Sequence, residues 1–337
     1  MASILLLSER GRTLPIAGRL KNEGHLVKVW IQQAPEEVLK GSRNPSRVQN
    51  PTKLLEQFDL ILSEPTLGVQ AEAIQSSGKQ VLGSNMVIDK LVRDKQYQIK
   101  VLEFLLGKQE PLVGLSVRLS GFMGPEGFNS LFMLSLPCYG FMDRDKGLRT
   151  EGMGSLVVFL NEGDKLTKIL LPFEAYLQKA KYQGIFNASL SIKGDLWNIA
   201  FMDTYLVPED ILAGAEMLKT SLFDFLFGLL DGKEGKAWPG LGLSVGLSVP
   251  PWPYIGSPVT GEYLTIPGPA EKHVSLSHLY LGCLGVVTSK GQDVREARRR
   301  VYRTVENSVT SPMVQYREDI GIGAEKDLAT LREWGWL

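Results

Sequence analysis

The segment SILLLSERGRT at residues 3–13 decides how the N-terminal part of the chain folds. Its apolar run at residues 3–7 is typical of a strand that is buried on both faces of a parallel sheet. The pattern that follows predicts a helix at residues 14–22, closed near Gly24, and a second strand at residues 25–31. A strand, a helix and another strand in this order form the first unit of a parallel sheet.

Two further strands, predicted at residues 58–63 and 79–82, flank a helix that is predicted at residues 69–75. Strands that alternate with helices indicate an α/β fold with a doubly wound parallel sheet. Ligands of such sheets bind beyond the carboxyl ends of the strands, so residues 8–13 lie where a phosphate would dock on a helix N-terminus. The segment lacks the G-x-G-x-x-G dinucleotide fingerprint, and a structural turn that contains arginines explains it equally well.

The composition limits the partners and the compartment. The 37 Lys and Arg residues balance the 37 Asp and Glu residues, so no net field attracts nucleic acid or an anionic membrane. A nucleic-acid partner would therefore need a local basic face. Cys138 and Cys283, together with three histidines, predict neither a disulfide framework nor a zinc site. An N-terminus without a basic n-region and the lack of a long apolar run predict a cytoplasmic protein with no membrane partner.

The middle of the chain changes from strand–helix alternation to antiparallel strands. Helices are predicted at residues 85–106, 173–180 and 208–230, the last with Pro208 at its first position. Alternating apolar and polar residues predict strands at residues 115–119, 130–136, 155–160, 184–192 and 196–202. This part of the chain is predicted to be an α+β domain.

The last third of the chain is predicted to be a small α+β unit. Residues 231–253 are rich in Gly, Pro and Trp and are predicted to be loops. Strand-like runs follow at residues 263–266, 274–280 and 283–288, and a helix follows at residues 294–306. This helix carries five arginines, for which a solvated face is the default interpretation. The domains predicted from these changes are residues 1–84, 85–235 and 236–337.

The segment DRDKGLRTEGMG at residues 143–154 is the strongest candidate for a binding site. It contains six charged side chains and three glycines, and it is predicted to be a loop between two strands. Glycine permits positive φ angles and a close approach of the backbone to a ligand. Charged side chains between such turns present N–H and guanidinium groups to an anion. A solvated surface loop is the simpler alternative.

Two segments near the C-terminus, VVTSKG at residues 286–291 and YREDIG at residues 316–321, carry a family resemblance. With Glu296-Ala297 and Val301-Tyr302 between them, they resemble the C-terminal domain of glycinamide ribonucleotide synthetase, also called phosphoribosylamine–glycine ligase. This family belongs to the ATP-grasp superfamily and acts in purine synthesis. The resemblance implies an N-terminal Rossmann-like domain, a central ATP-grasp-like α+β domain and a small C-terminal α+β domain.

The segment at residues 143–154 resembles the family's D-x-G-P-N-T-G-G-M-G motif. Gly11-Arg12 falls where the family has G-G-R-E-H-A, and Gly83-Ser84 resembles its G-P-S entry into the grasp domain. In the family these parts surround glycine and the phosphoribosyl substrate. The resemblance therefore implies that a ligand is bound by Arg10, Gly11, Arg12, Arg144, Arg149, Thr150, Gly152, Met153 and Gly154. Asp145 and Glu151 are the candidate catalytic bases, since an amine substrate has to lose a proton.

Two departures from the family argue against ATP chemistry. In the family, a small subdomain that covers ATP lies between the first long helix and the next strand, whereas only residues 107–112 fill that gap here. The family's magnesium signature, E-F-N-x-R-x-G-D-P-E, aligns with residues 200–209. The residues that replace its glutamate, asparagine and arginine are Ala200, Met202 and Thr204. Because magnesium requires oxygen ligands, neither a metal nor a cofactor is expected.

Three functions are consistent with these residues, and the sequence leaves open whether the protein is an enzyme. The favoured function is an ATP-independent transferase that joins an amino acid or another amine to a phosphorylated nucleotide, base or sugar activated elsewhere. The alternative is a pseudoenzyme that binds or sequesters a nucleotide-like ligand. A genuine ATP-dependent phosphoribosylamine–glycine ligase is least favoured. The expected partners are a small amino acid and a phosphorylated nucleotide-like molecule, and the net charge gives a nucleic-acid acceptor no support.

Overall fold

The computed structural model describes residues 1–33, 46–254, 272–280, 283–309 and 313–337. Among these residues, five parallel strands form an N-terminal sheet. They are β1 (Ser3–Ser8), β2 (Leu26–Ile31), β3 (Ser46–Arg47), β4 (Leu60–Ser63) and β5 (Leu82–Gly83), and they lie in the order β3-β2-β1-β4-β5. The predicted α/β fold class with its parallel sheet is confirmed. The strand predicted at residues 263–266 lies outside the described residues.

Strand β1 is buried from Ile4 to Ser8 because it lies in the middle of this sheet and both faces of the sheet are covered. Ile4 packs in a cluster with the first helix, α1 (Leu14–Asn22). Leu5, the next residue, packs in a different cluster with the second helix, α2 (Gly68–Gln75). Successive side chains of a strand point to opposite faces, so a strand covered on both faces needs a continuous apolar run. Both helices lie where the sequence predicts them.

A second sheet contains eight strands of the described part of the chain, and all neighbouring pairs are antiparallel. The strands are β6 (Leu115–Met123), β7 (Phe128–Met142), β8 (Lys146–Asn161), β9 (Gly184–Lys193), β10 (Leu196–Asp203), β11 (Leu241–Ser248), β12 (Val274–Tyr280) and β13 (Cys283–Gly291). Their order is β10-β9-β6-β7-β8-β11-β13-β12. The parallel and antiparallel sheets together give the mixed α/β architecture that the sequence predicts.

The other helices are α3 (Met86–Arg93), α4 (Lys95–Leu106), α5 (Glu174–Lys179), α6 (Pro208–Ala215), α7 (Leu222–Leu230), α8 (Val294–Ser308) and α9 (Ile322–Glu333). The predictions of one long helix at residues 85–106 and another at residues 208–230 are therefore wrong, since each range contains two helices. Asp94 has an extended backbone between α3 and α4, and its carboxylate accepts a hydrogen bond of 3.0 Å from the Tyr97 N–H. Ser221 caps α7 in the same way. A side-chain cap of this kind starts a new helix.

No helix within the described ranges is long and apolar enough to cross a membrane. The cytoplasmic location stays a prediction.

Residues 143–154, which the sequence predicts to be a loop, form a tight turn followed by the start of β8. In the turn, Arg144 and Asp145 adopt φ angles of 59° and 58°, the left-handed conformation that closes a short connection. Gly140 pairs with Arg149, so the hairpin of β7 and β8 continues through the charged residues. The loop prediction is wrong because charge and glycine content do not prevent strand pairing when a long partner strand lies alongside.

Strand β11 lies in a segment that the sequence predicts to be loops. Its glycines and serines resemble a loop in composition, yet all eight residues are buried. Val245 pairs with Gly154 of β8 on one side and with Val287 of β13 on the other. Strand β11 therefore joins the central strands to the C-terminal strands in one continuous sheet. The domain boundaries after residues 84 and 235 stay predictions.

A buried ionic network ties α1 to the antiparallel sheet. The Glu216 carboxylate lies 2.9 Å from Arg19 Nη1 of α1 and accepts a hydrogen bond of 2.8 Å from Thr288 Oγ1 of β13. His273 Nδ1 lies 3.2 Å from the same carboxylate. Burial by itself would raise the pKa of Glu216, but His273 and Arg19 outweigh it and lower the pKa to about 2. The carboxylate is therefore ionised in the folded protein and stabilises the contact between the two sheets.

Replacing Glu216 with Gln is expected to lower the free energy of unfolding at pH 7 by roughly 1 to 3 kcal/mol, because the partly buried Arg19 loses one of its two carboxylate partners and keeps only Glu23. The folded-state pKa lies below the unfolded value, so this stabilisation is present above about pH 4.3 and disappears as the pH falls toward 2. Urea denaturation at several pH values measures the difference. Equal stability of the two proteins at pH 7 would contradict the role given to this network.

Candidate functional site

A cavity of about 720 Å³ lies between the loop after β1 and the antiparallel sheet. Its walls also come from the first part of β8, the start of α6, the last residues of β11 and the first residues of β13. These segments are distant in the sequence and meet only because the fold brings them together. The volume is within the range of roughly 300 to 1,000 Å³ that is usual for small-molecule sites.

Most of the residues that the sequence predicts for the site line this cavity. They are Arg10, Gly11, Arg12, Arg149, Thr150, Glu151, Gly152 and Met153. The structure thus brings the loop after β1 and the charged start of β8 to opposite sides of one space. Their part in binding a ligand stays a prediction.

The other three predicted residues, Arg144, Asp145 and Gly154, are not among the residues that line the cavity. The Asp145 carboxylate accepts hydrogen bonds of 2.7 Å from the Gly140 N–H and from Arg317 Nη1. Partial burial opposes ionisation, but these bonds outweigh it and lower the pKa of Asp145. Asp145 is therefore an ionised partner of Arg317, which anchors the β7–β8 turn, and it is not placed to act as a base in the cavity.

Arg12 and Glu151 form an ion pair across the cavity. Arg12 Nε lies 3.2 Å from Glu151 Oε2, and the Arg12 guanidinium lies 5.2 Å from the centre of the Tyr205 ring. The Arg12 side chain is 23% exposed, whereas the Glu151 side chain is 75% exposed. Exposed ion pairs contribute roughly 0 to 1 kcal/mol, so a ligand with a stronger negative charge can displace Glu151 from Arg12.

Glu209 is one of the titratable residues of the cavity that the predicted site lacks. It occupies the first turn of α6 and faces β8, where a methyl group on Gly152 would lie 3.1 Å from Glu209 Cδ. Burial raises the pKa of Glu209 to about 7, against the lowering effect of Arg12. The sequence contained one signal for this residue, since Glu209 aligns with the last glutamate of the family's magnesium signature.

In the loop after β1, a carboxylate of the protein is bonded to backbone groups at the predicted phosphate site. Glu64, at the end of β4, accepts hydrogen bonds of 2.7 Å from Ser8 Oγ, 2.9 Å from the Glu9 N–H and 3.1 Å from the Thr13 N–H. Glu64 is buried, and burial raises its pKa. These bonds favour the alternative interpretation of the loop as a structural turn, and the phosphate site stays a prediction. The Arg10 side chain also lines the cavity.

Arg149 is held at the cavity wall by a chain of contacts. Its guanidinium lies 4.1 Å from the centre of the Tyr139 ring, a cation–π contact. The Tyr139 hydroxyl accepts a hydrogen bond of 2.8 Å from Arg118 Nη2, and the buried Arg118 pairs with Asp210 at 2.6 Å. These contacts orient Arg149 before any ligand arrives, which reduces the conformational entropy lost on binding.

The residues at the aligned magnesium positions do not fit a metal–nucleotide complex. Met202 is buried in the apolar core, and Ala200 has no oxygen to offer. The neighbouring Asp203 carboxylate is engaged by Asn187 Nδ2 at 2.6 Å and by the Tyr205 N–H at 2.9 Å. Within the described ranges, no cluster of three or more His, Cys, Asp or Glu side chains is placed to hold a metal ion.

The connection between α4 and β6 also departs from the family. Residues 107–114 span it without a helix or a strand. The small subdomain that covers ATP in the family is therefore not present at this point of the chain.

Solved structures of several ligases and carboxylases share this fold. The phosphoribosylamine–glycine ligase of Thermotoga maritima is 15% identical with a TM-score of 0.67, over 94% of this chain and 100% of that chain. The N5-carboxyaminoimidazole ribonucleotide synthetase of the same organism is 12% identical with a TM-score of 0.53, over 92% of this chain and 99% of that chain. The urea carboxylase of Kluyveromyces lactis is 12% identical with a TM-score of 0.61, and the chain matches 32% of its length.

The chain thus shares the fold of these ligases and carboxylases, with a parallel N-terminal sheet followed by an antiparallel one. At these identities the likeness establishes the fold and no more. No protein-family model and no curated protein matches the sequence.

Replacing Glu209 with Gln is expected to raise the free energy of unfolding at pH 8 by roughly 1 to 3 kcal/mol and to leave it unchanged near pH 4. The pKa of the folded state lies above the unfolded value, so the carboxyl group costs stability progressively as the pH rises above about 4.3, and the full cost is reached above about 7. Urea denaturation at both pH values measures the change.

Glu151→Gln is the matched control for this experiment, because Glu151 lines the same cavity but is largely exposed. Its stability is expected to stay close to that of the wild type at both pH values. A Glu209→Gln protein that is less stable than the wild type at pH 8 would contradict the raised pKa.

Proposed function

We propose that the protein transfers an amino acid or a similar amine to a phosphorylated small molecule without consuming ATP. The observation that carries this proposal is the Glu209 carboxyl group, whose pKa burial raises to about 7 at the wall of a cavity that also contains Arg12. A carboxyl group that titrates near neutral pH is suited to take and return a proton. Arginines beside it are suited to bind a phosphate group.

The proposed reaction is the displacement of phosphate by an amine. The amino acid enters as an ammonium ion, and Glu209 removes one of its three protons. The free amine then attacks the carbon atom that bears the phosphate, the carbon–oxygen bond breaks, and phosphate leaves with the bonding electrons. Glu209 returns its proton to the departing phosphate, and the product is a secondary ammonium ion. No other reactant is needed, and the charge is balanced on both sides.

The leaving phosphate is assigned to the three arginines of the cavity wall, Arg10, Arg12 and Arg149. Arg12 is shared with the exposed Glu151, so a phosphate can take the place of that carboxylate. Arg149 is oriented in advance by the Tyr139 ring. Guanidinium groups bind phosphate oxygens in a two-pronged geometry and do not lose their charge, which suits them to stabilise the leaving group.

Direct displacement is favoured over a covalent enzyme intermediate. Cys283 lines the cavity, but burial raises the pKa of its thiol to about 12. The thiol is therefore protonated at neutral pH, and a protonated thiol is a poor nucleophile.

The fold supports this proposal through the kind of chemistry that its relatives' names describe. A phosphoribosylamine–glycine ligase joins an amino acid to the amine of a phosphorylated sugar, and it matches this chain over its full length. We propose that the present protein is a divergent member of that family that keeps the substrate side of the fold. The aligned magnesium positions hold Ala200 and Met202, which argues against use of ATP.

The alternative, a pseudoenzyme that only binds a nucleotide-like ligand, has less support. A binding site gains nothing from a carboxyl group that is half ionised at neutral pH, because burial of such a group destabilises the fold. Stability is commonly lost in this way at positions that carry out chemistry. The proposed ligands are small molecules, since a net charge of zero gives no support for nucleic acid as the acceptor.

The proposal is tested by incubating the protein with glycine and a panel of phosphorylated nucleosides and sugars, in the presence of EDTA and without ATP. Amine-dependent release of phosphate is expected with at least one acceptor. Glu209→Gln is expected to slow it by roughly 100-fold or more, since a positioned general base contributes about 10²- to 10⁴-fold. Mass spectrometry of the joined product and a phosphate assay measure the reaction.

Two outcomes of this experiment would contradict the proposal. One is binding of acceptors without any product in the whole panel, which would favour the pseudoenzyme. The other is formation of ADP when ATP, magnesium, glycine and phosphoribosylamine are supplied, which would identify an ATP-dependent ligase.

Arg149→Ala is expected to weaken the binding of uridine 5′-monophosphate by roughly 10- to 100-fold, because one charge-assisted contact to the phosphate is lost. Arg144→Ala is the matched control, since Arg144 carries the same charge on the same hairpin but lies outside the cavity lining. Isothermal titration calorimetry measures both affinities. The assignment of the phosphate to Arg149 fails if both variants bind as the wild type does.

A further inference from the structure

The proposed function leaves open whether the phosphorylated acceptor is a bare sugar phosphate or a nucleotide. We propose that the acceptor is a nucleotide and that its planar base stacks on Trp252, at the wall of the same cavity. This inference rests on the proposed function, because it assumes that the cavity holds the phosphorylated acceptor.

Trp252 is a fixed aromatic surface that faces the cavity. It lies in the turn after β11, where its backbone N–H donates a hydrogen bond of 3.2 Å to the Val249 carbonyl. The indole makes a T-shaped contact with Phe141, with a centroid distance of 5.6 Å and an interplanar angle of 74°. Trp252 is nevertheless only partly buried and lines the cavity. A large aromatic ring that is held by a neighbour and left open to a cavity is a stacking surface for another ring.

The wall around Trp252 is apolar. Pro253, the next residue, is also partly exposed and lines the cavity beside Trp252. A sugar phosphate carries hydroxyl groups on every side and would place some of them against these carbons without hydrogen-bond partners, which is unfavourable. The faces of a nucleobase are apolar, so a base can cover this surface while its polar edge points elsewhere.

The two kinds of wall together define the ligand class. The arginines suit a ligand with an anionic group, whereas Trp252 and Pro253 suit a flat apolar ring. A nucleotide contains both in one molecule. An amino acid or a sugar phosphate satisfies the charged wall alone. A cavity of about 720 Å³ is large enough to hold a drug-sized ligand.

The experiment compares uridine 5′-monophosphate with ribose 5-phosphate, which has the same sugar and phosphate but no base. Isothermal titration calorimetry of the wild-type protein is expected to give tighter binding of the nucleotide. Trp252→Leu is expected to weaken nucleotide binding by roughly 10- to 100-fold, the usual loss when a stacking ring is removed. Its binding of ribose 5-phosphate is expected to stay within about twofold of the wild type.

Tyr254→Leu is the matched control. Tyr254 is exposed and contacts the same Phe141 ring at 6.5 Å, but it is not part of the cavity wall. Its nucleotide affinity is expected to equal that of the wild type. Trp252→Phe keeps a ring and is expected to restore most of the affinity, which separates stacking from damage to the fold.

Each outcome decides between the two proposals. One outcome is that the wild type binds both ligands and Trp252→Leu binds the nucleotide as tightly as the wild type does. In that case the base does not stack on Trp252 and this inference is wrong, while the proposed function stands. If the wild type binds neither phosphate, the proposed function fails and this inference fails with it.

Discussion

The pairing of β11 with β8 on one side and with β13 on the other is the interaction on which the candidate site depends. It places Leu247 and the residues after β11 beside the charged start of β8. The approach is so close that a methyl group on Gly154 would lie 2.4 Å from the Ser244 carbonyl oxygen. Gly154 also has a φ angle of 144°, which side chains rarely allow. The last glycine of the candidate motif therefore serves strand packing, whereas residues 149–153 line the cavity.

Some of the charged groups stabilise the fold, whereas others lie at the cavity, where a reaction is proposed. Glu64 and Glu216 are buried carboxylates that are fully engaged by donors of neighbouring segments, so they organise the loop after β1 and the contact between the sheets. Asp145 is occupied by Arg317. In contrast, Glu209 is only partly buried and lies at the cavity wall, where desolvation raises its pKa to about 7. A carboxyl group that burial destabilises and no structural partner claims is the one most available for proton transfer.

The sequence predicts the parallel sheet well because buried strands leave a direct trace in it. The apolar run at residues 3–7 and the helix at residues 14–22 need no information beyond their own period. The antiparallel sheet was harder to predict, since β11 is made of Gly, Ser, Val and Leu and owes its strand conformation to its neighbours. Helix α9 is not among the predicted helices. Its buried residues Ala324, Leu328 and Leu331 nevertheless follow a helical spacing that is visible in the sequence.

The candidate site, like the fold, has features that the sequence predicts and features that only the folded chain shows. The family resemblance selects two segments that the fold brings into one cavity, because their motifs are local in the sequence. It cannot show that Arg317, distant in the chain, neutralises Asp145. Nor does it show that burial raises the pKa of Glu209, since burial is a property of the folded chain alone. Sequence motifs thus identify which segments meet, and three-dimensional contacts decide which of their charged groups stay free to react.

The central claim is that Glu209 titrates near neutral pH in the cavity and serves as the base of the transfer. Its most direct test is a ¹³C NMR titration of the side-chain carboxyl groups, with Glu209→Gln used to assign the Glu209 resonance. This resonance is expected to titrate with a midpoint near pH 7, because desolvation raises the pKa of Glu209. A midpoint near the ordinary glutamate value of about 4.3 would contradict the claim, because the group would then be fully ionised and a weak base at neutral pH.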